Sequence, residues 1–129
     1  MEGSDDRIPP QSRVLSAGPG SSSEARWFLR EALGNRHPPD QEEVALLLTS
    51  ELASNAARHG SEEVGLPIEV TAEAEGERLR VTVHDQGSGF DPSTVIEETG
   101  GGGLRLVDKL SSKWGVERTE SGTNVWFEI

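Results

Sequence analysis

The chain has 129 residues, of which 23 are acidic and 12 basic, giving a formal net charge of −11, and it contains no cysteine. That length suits one compact domain, the negative charge opposes binding to nucleic acid or an anionic membrane, and the lack of thiols excludes disulfides, thiolate metal sites and a cysteine nucleophile. No stretch approaches the roughly 20 apolar residues of a membrane span, and the polar N-terminus lacks the apolar segment of a signal peptide, so a cytoplasmic protein with protein partners is expected.

Residues 1–12 mix charge, proline and small polar residues without apolar periodicity and read as a flexible tail, leaving 13–129 as the domain. A strand opens at Arg13. Ala25, Phe28, Leu29 and Leu33 recur at helical spacing, predicting a helix over 22–33 that stops at Gly34 and Asn35. Arg26 and Arg30 lie on one side of it, where they read first as two solvated arginines and otherwise as a surface for an acidic partner. Asp40 and Glu43 form a capping arrangement, after which Val44, Leu47, Leu48, Leu52 and Ala56 supply the buried stripe of a long helix ending near Gly60. Residues 68–74 and 79–85 alternate apolar and polar around a turn at 75–77, the pattern of two antiparallel strands. A short helix over 104–110 follows a glycine run, then a second hairpin of 114–118 and 124–129 turning at 120–122. In its last strand Trp126 falls on the face opposite Val125, Phe127 and Ile129. Grouped helices beside such strands make an α+β two-layer sandwich, a mostly antiparallel sheet with helices on one face.

Three groups of residues carry chemistry. Glu51, Asn55 and His59 are four apart and stack along one helix face bordering the apolar stripe. That spacing fits a solvated face, and it equally fits an enclosed carboxylate and carboxamide that need a bound ion or phosphate as partner. His59 before Gly60 reads as a helix C-terminus. Asp85 ends the apolar face of Leu79, Val81 and Val83 and runs into Gly87 and Gly89. There a carboxylate can accept a hydrogen bond from an exocyclic amine while the glycines admit close approach of a flat ligand, although an ordinary strand-end turn would look the same. Gly101 and Gly103 immediately precede a helix whose free amides suit a phosphate, unless the run is only a linker. The P-loop ending and the third glycine of a dinucleotide fingerprint are both missing, Arg105 standing at the latter position.

Taken in order, these groups resemble the ATP-binding domain shared by gyrase, heat-shock chaperones, histidine kinases and mismatch-repair proteins, the GHKL superfamily, with its histidine kinase-like ATPase or Bergerat fold. Glu51-Leu52-Ala53-Ser54-Asn55-Ala56-Ala57-Arg58-His59-Gly60 is similar to its N box, Asp85-Gln86-Gly87-Ser88-Gly89 to its first glycine box, and Gly101-Gly102-Gly103-Leu104-Arg105-Leu106-Val107 to its second. Gly122-Thr123 matches a further position on the nucleotide side. The branch it resembles most is the small bacterial anti-sigma factor serine kinases, over residues 14–129.

The resemblance implies ATP and Mg²⁺ as ligands. Asn55 would hold the magnesium, Glu51 would be the general base, and Asp85 would read the adenine amine with help from Thr123. Gly87, Gly89, Gly101, Gly103 and Leu104 would line the nucleotide, and residues 91–100 would form a lid, in which Glu97 and Glu98 are unusual company for a triphosphate. The implied partners are a sigma factor and a STAS-domain anti-anti-sigma protein that is phosphorylated on serine, the implied assembly a homodimer through the first strand. The alternative is a non-catalytic module in which ATP orders a protein-binding surface. A histidine kinase catalytic domain fits less well, because no long helical hairpin carries a phosphoacceptor histidine, and the spacing of His37, His59 and His84 resembles no metal-ligand set.

Overall fold

The computed structural model describes residues 8–15, 20–34, 39–57, 67–76, 78–86 and 102–129. Their elements are β1 (Ile8–Leu15), α1 (Ser21–Leu33), α2 (Pro39–Ala56), β2 (Ile68–Glu75), β3 (Arg78–Asp85), α3 (Gly102–Leu110), β4 (Lys113–Thr119) and β5 (Gly122–Glu128). The strands form one sheet in the order β1-β2-β3-β5-β4, every pairing antiparallel. Alternate residues of β2, β3 and β5 enter one apolar cluster together with the inner faces of all three helices. The result is the expected two-layer α+β sandwich. Burying these apolar side chains, at about 25 cal/mol per Å² removed from water, is the main force holding the layers together.

The hairpin of β2 and β3 turns at Gly76, whose φ of 62° is a left-handed conformation that glycine adopts without steric cost. Helix α1 buries Ala25, Phe28, Leu29, Ala32 and Leu33, and it ends at Gly34, where the chain turns with φ 58° and the Gly34 amide donates to the Arg30 carbonyl at 3.1 Å. Arg26 and Arg30 are both exposed.

Four local expectations change. Strand β1 begins at Ile8, so residues 8–12, assigned to the tail from sequence, are part of the sheet. Pro9 and Pro10 are tolerated because β1 is an edge strand and its register shifts between Ile8 and Gln11. Helix α2 starts at Pro39, a residue suited to a first helical position, which places Asp40 inside the first turn instead of at the cap. Leu47 is 40% exposed, and Leu46 is buried instead. The reason is that α2 packs against α1, α3, β2 and β3. At 3.6 residues per turn, its buried residues span an arc of about 180° centred near Ala45 and Ala56, and Leu47 points the other way. Finally, α3 starts at Gly102, so Gly103 sits in its first turn.

The opposite face of the sheet carries no helix among the described residues, and its polar groups pair across strands. Ser12 and Thr71 share a hydroxyl hydrogen bond of 2.8 Å, and His84 Nδ1 pairs with Asn124 Oδ1 at 2.7 Å. Trp126 lies on this face, as expected. The Arg80 guanidinium stacks 4.0 Å from its ring centroid and reaches Glu128 at 3.5 Å. The ring rests on Gly115, where a Cβ would come within 2.9 Å of it. Trp126 is therefore half-buried by its neighbours, and the exposed tryptophan is Trp27 of α1, 51% accessible, with Arg13 4.8 Å from its ring centroid.

Candidate functional site

The covered face of the sheet is apolar along most of its length and polar at one end. Along β3 the buried residues run Leu79, Val81, Val83 and then Asp85; along β5 they run Phe127, Val125 and then Thr123. Because β3 pairs with β5, Asp85 and Thr123 are direct cross-strand partners on the face that meets the helices. Both are 1% exposed. Partners so placed have Cβ atoms about 5 Å apart, close enough for a carboxylate and a hydroxyl to engage one group.

Gly122 makes this approach possible. Its φ is 150°, and a Cβ there would lie 1.8 Å from the Asp85 carbonyl oxygen, so any side chain would drive β5 away from β3 at the point where Thr123 faces Asp85. The turn before it is held by Thr119, whose hydroxyl donates to the Gly122 carbonyl at 3.2 Å.

Helix α2 packs over β3 and supplies the third buried polar side chain, Asn55, 2% exposed. Asn55 lies at one shoulder of the buried arc of α2, and Glu51, one turn earlier, lies about 40° further round and is half-buried. The carboxylate is thus at the rim and the carboxamide inside. A buried hydroxyl, Thr49, was not picked out from sequence; it is fully buried and its oxygen has no hydrogen-bond partner among the described residues. Its spacing of four from Ala45 and Ala53 was the available signal.

Helix α3 packs against α2. Its first-turn amides at Gly102, Gly103 and Leu104 have no acceptor within the helix, a geometry open to an anion. The Leu104 side chain is 1% exposed and belongs to the core, so this residue offers a ligand only its backbone. Gly87, Gly89 and Gly101, the lid at 91–100, His37 and His59 lie outside the described residues. His84 points to the opposite face from its neighbour Asp85.

A family model described as histidine kinase-like ATPase domain matches residues 15–129. The structure of the RsbU and RsbW domains of Rv1364c from Mycobacterium tuberculosis shares the fold, with a TM-score of 0.70 and 23% identity over 93% of this chain and 32% of that one. The histidine kinase domain of the Erythrobacter litoralis EL346 blue-light activated histidine kinase aligns at 31% identity and a TM-score of 0.55, covering 71% of this chain and 45% of that one. A second structure of that kinase gives a TM-score of 0.58 and 23% identity over 83% of this chain and 39% of that one. The chain spans less than half the length of each of these structures. No curated protein matches it. Among the described residues, no helix is long and apolar enough to cross a membrane.

Proposed function

Because the chain belongs to the histidine kinase-like ATPase family, we propose that it is an ATP-dependent protein serine/threonine kinase of the anti-sigma factor type, which sequesters a sigma factor and phosphorylates a STAS-domain antagonist. The observation that carries the reading is the burial of Asp85 and Thr123 as cross-strand partners at one end of an otherwise apolar sheet face, under a helix, α2, that buries Asn55. The motif resemblance to anti-sigma factor kinases, and a fold shared with a structure containing an RsbW domain, favour this branch over other kinases.

Asp85 accepts a hydrogen bond from the exocyclic amine of adenine, with the Thr123 hydroxyl beside it, while Val83 and Val125, next along the same face, offer the base an apolar bed. The first-turn amides of α3 hold the phosphates; Gly87, Gly89, Gly101 and the lid at 91–100, to which the family resemblance gives the same task, lie outside the described residues. Asn55 would hold Mg²⁺ through its neutral side-chain oxygen, with phosphate oxygens and water as the other donors. Magnesium when bound neutralises charge on the β- and γ-phosphates. Glu51, at the rim, takes the proton of the attacking serine hydroxyl as that oxygen bonds to the γ-phosphorus and the bond to the bridging oxygen breaks, releasing ADP. The same reading places the chain in the cytoplasm as a homodimer.

The test is phosphate transfer from ATP to a purified STAS-domain antagonist by the parent and by Glu51→Ala. Retained ATP affinity with transfer reduced by about a hundredfold or more is the expected result for a general base. Parental transfer by Glu51→Ala would remove Glu51 from that role. A parent that binds ATP but transfers to no such protein would make ATP the ordering ligand of a binding module.

A further inference from the structure

We propose that Asp108 and Trp114 are positioning residues that fix α3 along its axis and so set where its first-turn amides meet the phosphates; the inference rests on the ATP reading above. Helix α3 has nine residues and is about 13 Å long, with the glycines at one end and Asp108 in the last turn at the other. Its inner face, Leu104 and Val107, is held by burial, which is non-directional, and the chain just past its end is tied to the sheet by the Ser112 amide donating to the Glu128 carbonyl at 2.7 Å. Among the described residues, the side-chain hydrogen bond that ties α3 to the sheet is Trp114 Nε1 donating to Asp108 Oδ1 at 2.8 Å. That bond is directional. Its donor is itself fixed, because Trp114 is the cross-strand partner of the fully buried Phe127 and packs half-buried on the core. A carboxylate in the last turn is unfavourable to the helix dipole, so the stability of α3 by itself does not account for Asp108.

The experiment measures binding of ATP and of adenosine, by competition against a fluorescent ATP analogue, to the full chain and to Trp114→Phe, Asp108→Ala and Asp108→Asn. Trp114→Phe and Asp108→Ala should each weaken ATP binding about threefold or more, the scale of one net hydrogen bond, while adenosine binding stays at the parental level. Asp108→Asn keeps an acceptor oxygen and should restore ATP affinity. ATP binding unchanged in both disruptive variants, or adenosine affinity falling in step with ATP, would overturn the positioning role while leaving the ATP site intact. A parent that binds no ATP would overturn the ATP reading and this inference with it.

Discussion

The two ends of the covered sheet face are built from the same three strands and carry opposite chemistry. At one end Leu79, Ala74 and Phe127 meet in an apolar cluster; at the other, four residue pairs along from Val81 and Phe127, Asp85 and Thr123 are buried just as deeply. Burial at the first end stabilises the fold directly, whereas burying a carboxylate and a hydroxyl costs free energy that hydrogen bonds only offset. The uncovered face shows the ordinary solution, where Ser12 with Thr71, His84 with Asn124 and Arg80 with Glu128 pair across strands in partial contact with water. A fold needs its apolar end, and in the proposed reading the polar end gives up stability for a ligand.

Substitutions at the two ends should therefore move different observables. Leu79→Ala, at the apolar end, is expected to lower the free energy of unfolding by about 2–5 kcal/mol in denaturant titrations while the folded fraction keeps its ATP affinity. A loss of ATP affinity with little loss of stability would erase the distinction. Gly122→Ala should move both, costing about 1–3 kcal/mol through a forced backbone shift and abolishing measurable ATP binding, because the new Cβ would strike the Asp85 carbonyl. Unchanged thermal unfolding in that variant would contradict the close packing of β5 on β3. Thr49→Val has the smallest expected effect, a gain of about 1 kcal/mol, since it replaces a buried hydroxyl lacking a hydrogen bond with a methyl of similar size. Destabilisation instead would point to a partner for Thr49 that the described residues do not supply.

Much of the architecture was legible because it is written in local periodicity. The spacing of Ala25, Phe28, Leu29 and Leu33 defined α1 and its glycine stop, and the alternation around Gly76 defined the first hairpin with its turn. Two features were not legible locally. Pro9 and Pro10 look like strand breakers until β1 is known to lie at an edge, and Leu47 looks like core until α2 is known to be packed on three sides. The site divides in the same way. Asp85 could be placed at the end of an apolar strand face from sequence alone, but its apposition to Thr123 depends on β3 pairing with β5 across an intervening helix and strand. The need for glycine at 122 comes from its φ of 150° and, more severely, from that long-range contact, which the sequence does not display.

The central claim is that the buried polar end holds ATP, and calorimetric titration of ATP into the purified chain, with and without Mg²⁺, addresses it most directly when repeated on Asp85→Asn and Asn55→Ala. The account predicts magnesium-dependent binding to the parent. It also predicts that Asp85→Asn weakens ATP by about a hundredfold, the scale expected when a buried recognition group is left mispaired, and that Asn55→Ala removes the magnesium dependence. A well-folded parent that takes up no ATP under either condition would contradict it.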